Sequence, residues 1–358
     1  MAVHFHPLTV KHIKKETADC VSISFNIPET LMPVFAYREG QNITIRTAIG
    51  GEEVRRSYSV CTAPHENELR VAVKKLKGGL FSSFANDVLK AGDTLEVLPP
   101  TGKFNAKLHP GKKAGYLAIA AGSGITPVLS IIKHTLNTQP DSSFTLIYGN
   151  RDRNSIIFFE ELEGLKNKYI QRFNFINILS REKTDTDIFF GRITEQKLDL
   201  LSKLVAYNSF DEIYLCGPEE MVFTSSNYFK QLGIKEEKIH FELFTSPGQQ
   251  KAASSANLTE ENTGPASEVT IKLDGRSIAF KLGYNSSSLL DAALQQGADL
   301  PYACKGGVCA TCRAKLVEGK VNMDINYALE KEEIEQGFIL TCQSHPRSEK
   351  LVVDFDIK

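Results

Sequence analysis

The sequence has almost no net charge: 42 Lys and Arg against 43 Asp and Glu leave −1 over 358 residues. No basic block stands out, which removes the cation excess that nucleic-acid binding requires. No apolar run is long enough to span a bilayer, so membrane insertion is excluded as well. Residues 1–7 lack the charged start and apolar stretch of a secretory signal, and Cys20, Cys61 and Cys216 stand singly. Both absences point to a reducing, cytoplasmic setting. The chain also lacks paired Glu-x-x-His segments and a histidine cluster, so neither a diiron nor a Rieske centre is encoded in it. His4, His6 and His12 have no carboxylate partners in the pattern and read as surface histidines.

What is present is most specific near the C-terminus. Cys304, Cys309, Cys312 and Cys342 stand in the order C-x4-C-x2-C followed by a long gap, the plant-type ligand spacing for a [2Fe–2S] cluster. Gly306, Gly307 and Ala310 let the backbone wrap closely enough to aim N–H groups at sulfur. Structural zinc also takes four thiolates, but it favours two matched C-x2-C knuckles, and here the first gap is four and Cys342 stands alone. Disulfides are disfavoured by the same scattered cysteines.

The chain changes character twice. Up to residue 108, short alternating strands such as Val21–Phe25, Asn42–Ile45, Leu69–Val73 and Leu95–Val97 read as a small antiparallel β-barrel. From 109 to 245, apolar strands alternate with helical segments: Leu117–Ala120 then Val128–Leu136, Phe144–Tyr148 then Ile156–Leu165, and Ile213–Cys216 then Met221–Leu232. That predicts a parallel α/β sheet whose ligand site lies at the carboxyl ends of the strands. Residues 246–267, rich in Ser, Ala, Gln, Asn, Thr, Gly and Pro, read as a flexible linker. From 268 to 358, two strands about Asp274-Gly275, a helix over Ser288–Gln296 and the cysteine loop make an α+β domain.

Four segments carry chemistry. Arg56-Ser57-Tyr58-Ser59 supplies a cation for a pyrophosphate, a ring to cover a flat heterocycle and a hydroxyl for a ring nitrogen. Gly78-Gly79-Leu80-Phe81-Ser82-Ser83 opens a helix, where glycines and free N–H groups form an anion site; an ordinary Ser N-cap is the alternative. Ala121-Gly122-Ser123-Gly124-Ile125-Thr126-Pro127 is a strand–Gly-x-Gly–helix turn without the third glycine of the dinucleotide fingerprint. Tyr148-Gly149-Asn150-Arg151 and Cys216-Gly217-Pro218 end two further strands that should meet the first at one rim.

Together these segments resemble the ferredoxin–NADP reductase family over nearly the whole chain, in the order flavin barrel, nucleotide domain, linker, β-grasp ferredoxin. The resemblance implies Arg56 on the FAD pyrophosphate, Tyr58 on the isoalloxazine, Ser57 within the same motif and Ser59 near the reactive N5. It places the backbone of Gly79, Leu80, Phe81 and Ser82 on the phosphates, with Val73 and Lys74 beside them. Gly122, Gly124, Thr126 and Pro127 would cradle the nicotinamide nucleotide, and Cys216, Gly217 and Pro218 would lie beside its ring, Cys216 positioning rather than attacking. Ser180 and Arg181, with Arg151, match a 2′-phosphate site and favour NADPH over NADH; Phe189 and Phe190 offer no hydroxyl there. Glu242 and Phe244 would approach the flavin, a buried terminal strand being the alternative.

The resemblance extends to the reductases of multicomponent oxygenases with a C-terminal ferredoxin, and among them to those serving diiron phenylacetyl-CoA epoxidases. It implies an oxidoreductase passing electrons from NAD(P)H through FAD and [2Fe–2S] to a separate oxygenase in phenylacetate catabolism. A Rieske-type hydroxylase or an acyl desaturase is the alternative acceptor. A [2Fe–2S] redox sensor is the alternative of another class, and it would have no use for three nucleotide-binding strand ends.

Overall fold

The computed structural model describes residues 4–244 and 265–357. They divide into two compact units: one gathers Pro7–Val54 and Tyr58–Phe244, and the other gathers Arg55–Ser57 and the first residues with the C-terminal part.

Alternating apolar residues make the first sheet. β1 (His6–Thr17), β2 (Cys20–Asn26), β3 (Asn42–Ile49), β4 (Glu52–Ser59), β5 (Leu69–Lys74) and β6 (Thr94–Val97) stand in the order β4-β3-β6-β1-β2-β5. An antiparallel bridge from Val60 to Val71 returns the chain beyond β4 to β5 and closes the row. Ile23, Ile43, Ile45, Val71 and Val73 are fully buried inside, capped by Phe81 and Ala85 of α1 (Leu80–Asp87); each such side chain stabilises the barrel by about 2 kcal/mol.

The second sheet is wholly parallel. β7 (Gly115–Ala121), β8 (Ser143–Asn150), β9 (Phe173–Leu179), β10 (Glu212–Gly217) and β11 (Ile239–Leu243) run in the order β11-β10-β7-β8-β9. β10 is buried along its whole length and β7 over its five central residues, as strands covered on both faces must be. The chain passes outward from β7 through α2 (Ile125–Thr138) and α3 (Phe159–Lys168), then jumps past β7 by way of α4 (Glu195–Leu201) to β10, α5 (Glu219–Gln231) and β11. Right-handed crossovers in opposite directions put the two helix groups on opposite faces. The reversal lies between β7 and β10.

The C-terminal part is a β-grasp. β12 (Ala266–Leu273) and β13 (Arg276–Gly283) form the hairpin about Asp274 and Gly275, both at positive φ (54° and 68°), as a two-residue type I′ turn demands. α6 (Leu289–Gln295) follows, its first turn capped by Ser288, whose hydroxyl accepts from the Asp291 amide. β14 (Arg313–Glu318), β15 (Val321–Met323), α7 (Lys331–Glu335), β16 (Phe338–Leu340), β17 (Ser344–Pro346) and β18 (Lys350–Asp354) complete it. The sheet order is β13-β12-β18-β14-β16 with only β12 and β18 parallel. The segment 246–267 expected to be a linker lies mainly outside the described residues, but its last two residues are strand. Ser267 is 1% exposed and pairs with Leu282 across the hairpin, so small polar composition there hides a paired backbone.

Candidate functional site

The turn after β7 and the turn after β10 touch. A Cβ added to Gly124 would lie 2.2 Å from the Cys216 carbonyl oxygen and 2.8 Å from the Gly217 nitrogen, so the close approach of the two backbones requires glycine at 124. The contact falls at the reversal of strand order, where a dinucleotide crevice opens. The Tyr148 hydroxyl donates to the Gly122 carbonyl at 2.8 Å, and Thr126 Oγ1 donates to the Ser123 carbonyl at 3.0 Å. Pro127 falls in the first turn of α2, where its missing N–H breaks no helical bond. Pro218 precedes α5 as its exposed N-cap. The Cys216 thiol is fully buried, and burial followed by the nearby Glu242 carboxylate pushes it well above the usual thiol range. It packs, and its backbone alone shapes the turn.

Further along the same rim, the Arg181 amide donates to the Arg151 carbonyl at 2.7 Å, while the Ser180 amide and hydroxyl donate to the Asn150 carbonyl at 2.9 and 3.2 Å. Arg151 and Arg181 are both exposed at neighbouring strand ends. Two cations and a hydroxyl side by side suit a phosphate monoester.

The barrel presents the second half of the site. Ser59, buried at the end of β4, donates to Glu242 Oε2 at 3.2 Å, and Glu242 lies beside Cys216 in the β10–β11 register. Tyr58 is half-buried, its ring 5.4 Å from that of Phe81; Arg56 and Ser57 are half-buried on the same strand. Phe244 packs partly buried against the core of the parallel sheet. Val73 and Phe81 place their side chains in the barrel core, which leaves only their backbones for a ligand. Lys74 Nζ stands 3.9 Å from where a Gly122 Cβ would be, and equally far from Asp19 Oδ2. A strand of the barrel therefore carries a cation up to the nucleotide turn.

No side chain caps α1: its N-cap is Gly79, and the Ser82 hydroxyl turns back to donate to the Gly79 carbonyl and accept from the Leu76 amide. The ordinary Ser cap is therefore not what this sequence makes. The uncapped amides of Leu80, Phe81 and Ser82 fit an anionic phosphate.

In the cysteine loop, Lys305, Gly307 and Ala310 take positive φ values of 52°, 74° and 52°. At Gly307 a Cβ would meet the Ile325 carbonyl oxygen at 2.8 Å, so only glycine lets the loop coil this tightly. The Gly306 amide donates to Cys304 Sγ at 3.3 Å. Cys312 and Cys342 are drawn together by the Thr341 amide and hydroxyl, which donate to the Cys312 carbonyl at 3.2 and 3.0 Å. The thiols interact electrostatically in two pairs, Cys304 with Cys309 and Cys312 with Cys342. The hydrogen bond from its partner lowers Cys309 to about 6 and also lowers Cys342, while Cys304 and Cys312 are raised. Four cysteines in the plant-type spacing, on a loop coiled by positive-φ residues, suit thiolate ligation of a cluster with two irons.

Sequence patterns placed Tyr148 at a strand end without its hydrogen bond to the Gly122 carbonyl, and they did not single out the polar face of α2. The available signal was Lys133-His134, two basic side chains in the middle of a largely buried helix.

Three family models match the chain: an oxidoreductase FAD-binding domain over residues 7–106, an oxidoreductase NAD-binding domain over 118–226 and a 2Fe-2S iron-sulfur cluster binding domain over 271–347. The chain is 45% identical over 355 residues to one of the subunits of 1,2-phenylacetyl-CoA epoxidase from Escherichia coli (strain K12), covering 99% of this chain and 98% of that one. It is 36% identical over 353 residues to the ferredoxin reductase component of 3-ketosteroid-9-alpha-monooxygenase from Rhodococcus rhodochrous, covering 97% and 96%. Phthalate dioxygenase reductase shares the fold, with a TM-score of 0.58 at 23% identity over 98% of both chains. FAD held by the barrel segment would supply the chemistry that links a two-electron hydride donor to a one-electron [2Fe–2S] carrier. With all three domains present, and aligned end to end with reductase components of oxygenases, the chain belongs to the ferredoxin–NADP reductase-type oxygenase reductases that end in a plant-type [2Fe–2S] domain.

Proposed function

We propose that this chain is the reductase of a diiron phenylacetyl-CoA epoxidase, supplying it with single electrons from NADPH. The observation that carries the reading is the 45% identity, end to end, with a component of the epoxidase from Escherichia coli. Support for NADPH comes from Arg151, Ser180 and Arg181 at one rim, where no acid occupies position 180 or 181 to receive a ribose diol. Residues 1–108 serve FAD, 109–245 the nucleotide and 268–358 the cluster. A cytoplasmic setting agrees with seven free cysteines, and no described helix is long and apolar enough to cross a membrane.

Reconstitution tests the reading. The purified protein with the oxygenase components of a phenylacetyl-CoA epoxidase should support NADPH-dependent epoxidation of phenylacetyl-CoA. Brisk NADPH-dependent reduction of cytochrome c together with no turnover of that oxygenase would leave the reductase assignment standing and remove the epoxidase. The relatives named for 3-ketosteroid and glycine betaine monooxygenases make their oxygenases the next acceptors to assay.

A further inference from the structure

Helix α2 begins at the nucleotide turn and carries an unusual polar face two turns later. Ser130, Lys133 and His134 share that face at i, i+3 and i+4. The Ser130 hydroxyl donates to the Thr62 carbonyl at 2.6 Å and accepts from the Gly40 amide at 3.4 Å. Lys133, with its side chain 6% exposed, donates to both Glu66 carboxylate oxygens at 2.9 and 3.0 Å and also pairs with Glu161 of α3. Arg70 of β5 donates to the same Glu161 at 2.8 and 3.1 Å, and its guanidinium lies over the Phe158 ring, 5.4 Å from the centroid. His134 Nε2 stands 3.5 Å from Glu39 Oε2. Thr62, Glu66, Glu39 and Arg70 belong to the barrel segment; Lys133 and Glu161 belong to the parallel sheet's helices. A buried ammonium thus sits between one carboxylate from each layer.

We propose that Lys133 is a positioning residue for nicotinamide-to-flavin transfer: through Glu66 and Glu161 it fixes α2 against the barrel, and so sets the nucleotide turn Gly122–Gly124 relative to the flavin strand. The leverage follows from geometry. α2 is one rigid rod of about 20 Å, and at its other end Gly124 is in backbone contact with the Cys216 turn. A rotation at Lys133 therefore moves both turns against Tyr58 and Ser59 together. Removing the ammonium strips Glu66 of its cation and leaves it beside Glu161, which Arg70 alone still compensates, and the lost tie frees that rotation. A displacement of about 1 Å at reacting groups costs on the order of 100-fold in rate.

The test uses full-length, FAD-loaded protein carrying Lys133→Met. The limiting rate of flavin reduction at saturating NADPH should fall roughly 10- to 100-fold, while the dissociation constant for NADP+ stays within about twofold, since the turn itself is intact. The long-wavelength charge-transfer band of flavin with nucleotide should weaken, and backbone amides of 60–66 and of α2 should exchange faster with deuterium. Lys133→Arg should restore both band and rate. A wild-type limiting rate and band in FAD-loaded Lys133→Met overturns the proposal, and so does a loss of rate matched by an equal loss of NADP+ affinity. Glu161→Gln, which keeps the bulk, is the second variant should Lys133→Met fail to fold; unchanged reduction and exchange in it overturn the proposal equally. Wild-type protein that NADPH does not reduce would instead contradict the reductase assignment.

Discussion

The Ser59 hydroxyl donates to the Glu242 carboxylate at 3.2 Å, joining the end of a barrel strand to the last strand of the parallel sheet. This bond places a neutral donor and a carboxylate in line at the seam between the flavin-holding and nucleotide-holding layers, beside the backbone of Cys216. A hydrogen bond to a charged group contributes about 1.5–3 kcal/mol. Ser59→Ala should therefore slow flavin reduction by NADPH roughly 10- to 100-fold with FAD content preserved, since the uncapped amides at the start of α1 are untouched. Stopped-flow reduction at saturating nucleotide reads this directly, and an unchanged rate would remove Ser59 from the reacting end of the site.

Cys304→Ser should abolish electron delivery to an oxygenase or to cytochrome c while ferricyanide reduction, which needs only the flavin, persists. All four cysteines lie within the β-grasp, whereas the residues that fit FAD and nucleotide lie before residue 245. Iron and acid-labile sulfide should drop together in the variant. Ferricyanide activity that collapses as completely as the coupled reaction, with FAD still bound, would mean that the sites are not separable.

Arg181→Ala should raise KM for NADPH by roughly 10- to 100-fold, the equivalent of about 1.5–3 kcal/mol for one charge-assisted contact, and leave KM for NADH nearly unchanged. Only NADPH carries the 2′-phosphate that an exposed guanidinium beside Arg151 can grip. Equal losses with both nucleotides would make Arg181 structural and withdraw the preference for NADPH.

Gly124→Ala tests the contact between the two turns. Its methyl group would press on the Cys216 carbonyl oxygen at 2.2 Å, a backbone atom that cannot rotate away. Overpacking of this kind costs about 1–3 kcal/mol, and the strain falls on the nucleotide crevice. Binding of NADP+ should weaken several-fold while barrel-bound FAD stays in place; wild-type affinity in equilibrium titration would show that the turns have more room than their spacing indicates.

The elements that could be read from sequence are those whose pattern is local. Asp274-Gly275 named its hairpin, Ser288 its helix, and the cysteine spacing its cluster, because each depends on residues a few positions apart. β1 escaped for a physical reason. Its register shifts between Val10 and His12, so Leu8 and Val10 point inward while Ile13 falls out of phase, and the bulge erases the alternation that marks a strand. α4 escaped because its seven residues bury only Lys197, Leu198 and Leu201, too few to display a period. The polar face of α2 was invisible for a third reason: Lys133 is buried by Glu66 and Glu161, 67 and 28 residues away in the sequence, and no local pattern announces such a partner.

That network also sets an acid limit on the interface between the layers. Burial acts to raise the Glu161 carboxyl, but Lys133 and then Arg70 outweigh it and hold the group below its ordinary value of 4.5. A carboxyl depressed in the folded state binds its proton more weakly there than in the unfolded chain. Its contribution to stability is therefore complete above the ordinary value and is lost as pH falls through the lowered one. Between about pH 8 and pH 5 no change from this source is expected. Below about pH 4, wild type should lose stability faster than Glu161→Gln, whose amide does not titrate, so that the gap between their melting temperatures narrows. Paired thermal melts of the two proteins across that range measure the gap at matched cluster occupancy. A gap that stays constant from neutral pH down to about pH 3.5 would show that the Glu161 carboxylate is not what holds α2 against the barrel.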